Sequence, residues 1–141
     1  MEKKALIGFK PSSGKDQITK EELLERVYLN LEGFEVIDFE VTGEEITKRL
    51  TDLLSQIQPD LVIIAGGDGT VKLTTTCLKS KVTLAILPLG SANGLAKCLG
   101  ISNLEDGLEA LRKLDTFQMD AIQIGDEPCL HLADFGFNAS M

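Results

Sequence analysis

The sequence predicts an α/β protein, a three-layer α/β/α domain built on an open and mostly parallel sheet. Strand-like and helix-like segments alternate four times along the chain, and helical connections between parallel strands are the signature of such sheets. The run Leu-Val-Ile-Ile-Ala over 61–65 carries no polar residue. An uninterrupted apolar run of this length is expected for a central strand that helices cover on both faces.

Composition restricts the partners of this domain. The 141 residues fit one domain, over the range 1–141, and 43% hydrophobic residues suffice for a core. A net charge of −8 argues against a nucleic-acid partner and disfavours direct attraction to an anionic membrane. The three cysteines form no Cys-x-x-Cys pair and are expected to be reduced core thiols. Neither a signal peptide nor an apolar run of about 18 residues is present, which predicts a cytoplasmic location.

The first half of the chain predicts two strand–helix units. Strands are expected over 5–9 and 34–41, where apolar residues cluster or alternate. Thr19, with Glu22 three residues later, is a capping box that opens the first helix. Thr42 is expected to cap the second helix.

In the second half of the chain, predicted strands and helices continue to alternate. Pro59 ends the second helix before the apolar strand. Asn103 is expected to cap the fifth helix. The last two strands, joined by a turn over 125–128, are expected either as an antiparallel addition at the sheet edge or as a separate flap. The predicted elements are strands over 61–65, 84–87, 119–124 and 129–133, and helices over 71–79, 92–99 and 101–114.

Three loops are expected at the carboxyl ends of the parallel strands, where open α/β sheets bind ligands. They cover 10–15, 66–70 and 90–93, and each is built from Gly, Ser, Thr or Asn. Such residues let backbone N–H groups approach an anion closely. The three loops together predict a polyphosphate site.

The segment Gly66-Gly67-Asp68-Gly69-Thr70 is the most informative of these loops. Consecutive glycines permit positive φ angles, and Thr70 is expected to cap the following helix. The carboxylate of Asp68 would repel phosphates unless it holds magnesium, directly or through water. The alternative is a tight turn in which Asp68 supplies only a local hydrogen bond.

Two other polar features are less specific. The stretch from Gly8 to Lys15 mimics a Walker A motif, but its spacing is one residue too long and Asp16 replaces the magnesium-binding Ser or Thr. Lys15 could neutralise a phosphate, pair with Asp68, or be a solvated lysine. His131 is a lone histidine between two leucines, for which a structural role is expected.

At this point the motifs resemble a known family. The stretch over 59–71, Leu-Pro-Leu-Gly-Ser-Ala-Asn over 87–93 and Leu-Gly-Ile over 99–101 resemble, in order and spacing, the diacylglycerol kinase catalytic domain family. That family includes bacterial lipid kinases, sphingosine kinases and ceramide kinases. The segment 11–15 resembles its opening Asn-Pro-x-Ser-Gly loop, and Thr42 lies where the family has an adenine-side threonine. The resemblance covers essentially the whole chain.

The resemblance implies a phosphofructokinase/NAD-kinase-like domain that binds ATP with magnesium and transfers the γ-phosphoryl group to a diacylglycerol-like lipid hydroxyl. Asp68 is then the metal-linked catalytic residue, acting on magnesium through water, and Lys15 is the second catalytic candidate. The cofactor-binding candidates are Lys10, Ser12, Ser13, Gly14, Thr42, Gly66, Gly67, Gly69, Thr70, Gly90, Ser91 and Asn93.

The sequence departs from the family pattern at several positions. Lys10 replaces the Asn of the opening loop, Lys72 stands where Asn is common, and Gly94 stands where an Asp is usual. These changes raise the alternative of a degenerate, non-catalytic nucleotide-binding domain. A kinase of the NAD-kinase type that acts on a soluble substrate is a further alternative.

The last residues resemble the entry into the family's second, β-rich domain, from about 128 to 141. In the family that domain completes the lipid site and carries the general base. We therefore expect this chain to be a fragment that is inactive alone, with lipid binding and transient contact with the inner membrane surface supplied by the absent domain. The identity of the lipid and the oligomeric state stay open.

Overall fold

The computed structural model describes residues 3–10, 18–78, 82–89, 94–98, 100–113, 122–124 and 127–129. Strands and helices follow one another in the predicted order, which confirms the α/β prediction. The elements are β1 Lys3–Phe9, α1 Lys20–Asn30, β2 Phe34–Glu40, α2 Ile46–Ile57, β3 Leu61–Gly66, α3 Asp68–Cys77, β4 Thr83–Pro88, α4 Gly94–Cys98, α5 Leu104–Lys113, β5 Ile122–Ile124 and β6 Glu127–Cys129.

The first four strands form one parallel sheet in the order β2-β1-β3-β4. Strand β1 pairs with both β2 and β3, and β3 pairs with β4 from Leu61 opposite Thr83 to Gly66 opposite Pro88. Because all four strands point the same way, their carboxyl ends meet at one edge of the sheet.

Strands β5 and β6 form a separate antiparallel pair, as the flap alternative predicted. Ile124 lies opposite Glu127, so the second strand begins earlier than the predicted 129–133. Pro128 therefore lies in a strand rather than in the turn. The predicted continuation over 130–133 lies outside the described residues.

Helices cover both faces of the parallel sheet. All six residues of β3 are buried, and they alternate between two sets of neighbours. Ile63 packs in a cluster with α1 and α5, which contribute Leu23 and Leu111. On the opposite face Val62 and Ile64 pack with α3 and α4, and α2 packs against the same face through the neighbouring cluster. The predicted three-layer arrangement is thereby confirmed.

Two predicted helix caps are confirmed. The backbone N–H of Glu22 donates to Thr19 Oγ1 over 3.2 Å at the start of α1. At the start of α5, the N–H of Asp106 donates to Asn103 Oδ1 over 2.9 Å. The Asp106 carboxylate in turn accepts from the N–H of Ser102 over 3.0 Å. Such reciprocal bonds satisfy backbone donors that the helix leaves unpaired.

Two predicted helix starts are wrong. Helix α2 begins at Ile46 rather than after Thr42, because Gly43 and Glu45 have φ of +96° and +54° and interrupt any earlier turn. Helix α3 begins at Asp68 rather than near Val71, and its N-cap is Gly67 at φ −103°. Because only one residue separates β3 from α3, the glycine-rich segment is a strand end and a first helical turn, not a loop.

Helix α5 packs on β4 through Gly107. A Cβ added at Gly107 would lie 2.8 Å from the carbonyl oxygen of Ile86 and 2.8 Å from Leu87 Cδ2. Neither neighbour can retreat easily, since one is backbone and the other is fully buried. The close approach of α5 therefore depends on this glycine.

We predict that Gly107→Ala destabilises the protein by about 1–3 kcal/mol through overpacking, although alanine favours helices. The matched control is Ala110→Gly, an exposed position on the same helix, where loss of propensity alone should cost about 1 kcal/mol. Urea denaturation of both variants measures the difference. A Gly107→Ala variant more stable than the parent would contradict the packing.

Candidate functional site

The backbone continues the sheet ladder beyond the strand ends at its carboxyl edge. The N–H of Lys10, after β1, donates to the carbonyl of Ala65 over 3.0 Å, and the N–H of Val41, after β2, donates to that of Phe9 over 2.7 Å. These bonds fix the first residue after each strand. The β1 and β2 exits therefore lie side by side with the β3–α3 junction.

A cleft of about 310 Å³ lies at this edge, between the exits of β1 and β2 and the first turns of α2 and α3. Four of its residues are predicted cofactor-binding residues that are distant in sequence: Lys10, Thr42, Gly69 and Thr70. The residues that line the cleft are Lys10, Val41, Thr42, Gly43, Ile46, Gly69, Thr70 and Leu73.

Gly66 and Thr70 form the packed base of the β3–α3 junction. A Cβ at Gly66 would lie 2.7 Å from Thr70 Oγ1 and 2.8 Å from its Cβ, and Thr70 is only 3% exposed. Thr70 therefore lies inside the first turn of α3, and the prediction that it caps this helix is wrong. The expectation of positive φ angles is also wrong, since none of the three glycines of this segment has a positive φ. They are Gly66, Gly67 and Gly69. Gly66 is needed for space.

Gly69 is the open part of the junction. A Cβ added there would meet nothing within 4 Å, although the residue lines the cleft. The first backbone bond of α3 runs from the Val71 N–H to the Gly67 carbonyl over 3.1 Å. The N–H of Gly69 therefore comes before the first helical hydrogen bond, at the N-terminal end of the helix. The positive end of a helix dipole, with no side chain in the way, favours a negatively charged group.

Asp68 connects two helices. Its Oδ2 accepts a hydrogen bond from the backbone N–H of Gly94, the first residue of α4, over 2.9 Å in a partly buried position. Gly94 brings no carboxylate to this position, where the resemblance implies an Asp. The bond joins residues that are 26 positions apart, so it is not the local hydrogen bond of the tight-turn alternative.

The residues near Asp68 fit a magnesium ion only in part. Across the described residues, no group of three or more His, Cys, Asp or Glu side chains could hold a metal. One carboxylate oxygen of Asp68 is already engaged by Gly94. Magnesium commonly keeps waters and phosphate oxygens as most of its ligands, so the residues fit an ion bound mainly through a nucleotide and contacted by Asp68 through water.

One ion pair ties α1 to the sheet beside this edge. Lys20 Nζ lies 3.2 Å from Asp38 Oδ2, and the hydrogen bond to that carboxylate raises the pKa of Lys20, with Coulombic attraction to Asp38 adding to it. Because the folded-state pKa of Lys20 is raised, the ion pair stabilises the folded protein at neutral pH. This stabilisation is lost as the pH rises through the folded-state pKa. Both side chains are more than a third exposed, so the contribution is small.

Several predicted residues lie outside the part of the chain that the structure describes, and their roles stay predictions. They are Ser12, Ser13, Gly14, Lys15, Gly90, Ser91, Asn93 and His131. Of the three cysteines, Cys77 is a buried free thiol, as expected.

Sequence reasoning missed four residues of the cleft wall. Val41, Ile46 and Leu73 have the apolar character of core positions, and periodicity cannot tell a core side chain from one at the rim of a cleft. Gly43 carried a detectable signal, because a glycine directly after the predicted Thr42 indicates a turn rather than a helix start.

The fold and the cleft define an open α/β domain with a ligand crevice at the carboxyl edge of a parallel sheet. Comparison with known proteins identifies the family. The family model for the diacylglycerol kinase catalytic domain matches residues 4–126. The chain therefore belongs to the diacylglycerol kinase catalytic domain family, which confirms the resemblance seen in its motifs.

Individual relatives agree with this assignment. A probable lipid kinase YegS-like protein of Chromohalobacter salexigens is 41% identical over 57% of this chain and 28% of its own length. The mitochondrial acylglycerol kinase of Xenopus laevis is 29% identical over 70% of this chain and 26% of its own length. A diacylglycerol kinase structure from Bacillus anthracis superposes with a TM-score of 0.68 at 26% identity, covering 90% of this chain and 45% of that one.

The chain spans about a third or less of the length of these curated relatives. Within the described segments, no helix is long and apolar enough to cross a membrane.

We predict that Asp68→Ala lowers the free energy of unfolding by about 1 kcal/mol, because the N–H of Gly94 loses its acceptor. Asp68→Asn is the matched control, since an amide oxygen can still accept this bond. Amide hydrogen exchange at Gly94 should accelerate in Asp68→Ala and much less in Asp68→Asn. Equal exchange in both variants would contradict the bond.

Proposed function

We propose that this chain is the ATP-binding domain of a lipid kinase, which transfers the γ-phosphoryl group of ATP to a diacylglycerol-like hydroxyl in the whole protein. The observation that carries the proposal is the cleft that brings Lys10, Thr42, Gly69 and Thr70 together at the carboxyl edge of the sheet. Membership of the diacylglycerol kinase catalytic domain family supports it.

The cleft has two sides of different chemistry. Val41, Ile46 and Leu73 give it apolar surface, which suits the planar face of a base. Lys10 contributes an exposed positive charge, and the first turn of α3 contributes the positive end of a helix at Gly69. We propose that the triphosphate lies along Lys10 and Gly69, with the base towards the β2–α2 loop.

Catalysis in phosphoryl transfer depends mainly on positioning and charge neutralisation. Magnesium, when bound, would neutralise the phosphate oxygens. In this proposal the carboxylate of Asp68 would orient a water of the metal shell. Ser12, Ser13, Gly14 and Lys15 of the first loop and Gly90, Ser91 and Asn93 of the third are proposed to complete the phosphate contacts.

The names of the relatives support a lipid as the acceptor. Proteins named as lipid kinases and acylglycerol kinases match this chain, which favours a lipid hydroxyl over the soluble acceptor of an NAD-kinase-type enzyme. By the family resemblance, the lipid site and the general base are proposed to belong to the second domain of the whole protein.

One observation favours a second candidate, a nucleotide-binding domain without catalysis. Residue 94 is a glycine, and so it supplies no carboxylate at the position where the resemblance implies a second one beside Asp68. A single carboxylate organises magnesium less firmly than two. Transfer of labelled phosphate from ATP to diacylglycerol by the whole protein supports the kinase, whereas tight ATP binding without transfer to any lipid tested supports the second candidate.

We predict that the chain binds ATP in the presence of Mg²⁺ and that Lys10→Ala weakens this binding roughly fivefold, as expected for loss of one charge-assisted contact. Isothermal titration calorimetry measures both. Lys4→Ala is the matched control, since Lys4 is an exposed lysine of the same strand at the opposite edge of the sheet, and it should leave the affinity unchanged.

Two results would contradict the proposal. One is the absence of ATP binding by the folded parent chain at any magnesium concentration. The other is equal weakening by Lys10→Ala and Lys4→Ala, which would indicate attraction by overall charge rather than contact in the cleft.

A further inference from the structure

The side chain of Arg49, in the first turn of α2, folds back over the loop that connects β2 to α2. Its Nη2 donates to the carbonyl oxygen of Thr42, and its Nε donates to that of Glu44 over 3.2 Å. The guanidinium also lies over the ring of Phe39, with Cζ 5.7 Å from the ring centroid. One side chain therefore connects the end of β2, the loop and the helix.

Besides the Arg49 contacts, the described residues hold the start of this loop by a backbone bond from the N–H of Thr42 to the carbonyl of Glu40 over 3.0 Å. Residues 42–45 are all exposed, so burial does not fix them. Glu45 has φ +54° and gives α2 no side-chain cap, although non-glycine residues rarely adopt this conformation. Gly43 has φ +96°, and a Cβ there would lie 2.9 Å from Arg49 Nη2. The loop thus has an unfavourable backbone and accommodates the guanidinium closely.

The same loop forms one wall of the cleft. Val41, Thr42 and Gly43 line it, together with Ile46 at the start of α2. Arg49 itself does not line the cleft, since its guanidinium is directed at backbone carbonyls on the loop. Arg49 would therefore act on a ligand through the position of the wall rather than by direct contact.

We propose that Arg49 is a positioning residue that holds the base-side wall of the nucleotide cleft. The inference rests on the proposed ATP-binding function and adds a specific consequence to it. Loss of the guanidinium removes its hydrogen bonds to the carbonyls of Thr42 and Glu44, so the loop that forms the wall can change its conformation. Binding of the adenine end of ATP is then weakened, while binding of the phosphates at Lys10 and Gly69, on the other side of the cleft, is preserved.

The alternative is an exposed arginine that only stabilises α2. Stability measurements cannot separate the two roles, but a comparison of ligands can. ATP engages both sides of the cleft, whereas inorganic tripolyphosphate lacks the base and the ribose and engages only the phosphate side. A purely structural effect would leave the ratio of the two affinities unchanged.

The test is isothermal titration of the chain with ATP and with inorganic tripolyphosphate, both with Mg²⁺. Arg49→Ala should weaken ATP binding about fivefold and change tripolyphosphate binding less than about twofold. Arg49→Lys should show much of the same loss, because one ammonium cannot reproduce the guanidinium fork that reaches both carbonyls. Lys48→Ala is the matched control, since it removes the same charge from the neighbouring exposed position and should change neither affinity.

The outcomes separate this inference from the proposed function. Equal ATP affinities of Arg49→Ala and Lys48→Ala overturn the role of Arg49 alone. Parallel loss of ATP and tripolyphosphate binding in Arg49→Ala also overturns it, since that result indicates a general structural or charge effect rather than a change in the base-side wall. Failure of the parent chain to bind ATP overturns the proposed function and this inference with it. If Arg49→Ala does not fold, Arg49→Lys provides the same comparison.

Discussion

The absence of a side chain at Gly66 is the constraint on which the candidate site depends. Thr70 packs against the backbone of Gly66 so closely that a Cβ would lie 2.7 Å from its hydroxyl oxygen. This contact lets the buried strand β3 pass into α3 with only Gly67 between them. The first turn of the helix consequently lies directly at the carboxyl edge of the sheet, beside the exits of β1 and β2.

Two features of the site follow from that short junction. Gly69 lies at the cleft with open space where a side chain would be. Asp68, the first residue of α3, lies close enough to α4 to accept the N–H of Gly94. The opposite wall is formed by the β2–α2 loop, whose residues 42–45 are exposed within the part of the chain that the structure describes, and the guanidinium of Arg49 bonds to two of its carbonyls. One side of the cleft is thus fixed by burial and the other by hydrogen bonds at the surface.

Most of the fold could be predicted from the sequence, because its signals are local. Helical periodicity, the caps at Thr19 and Asn103 and the apolar run of β3 each report a short segment, and the structure confirms them. The start of α2 was predicted too early because Gly43 and Glu45 have φ of +96° and +54°; the glycine is visible in the sequence, whereas the left-handed conformation of Glu45 is not. The motif around Asp68 indicated the right edge of the sheet but not the details there. The burial of Thr70 and the bond from Gly94 are long-range or packing effects that residue types do not reveal.

Binding of a nucleotide at the carboxyl edge of the sheet is tested most directly by titrating the isotope-labelled chain with ATP and Mg²⁺ and following the amide chemical shifts. The largest shifts are expected at Lys10, Thr42 and Gly69. The cavity at the other end of α2, around Ser55 and Val82, should be unaffected. Shifts concentrated at that second cavity, or no shifts at either place, would rule out nucleotide binding at the carboxyl edge.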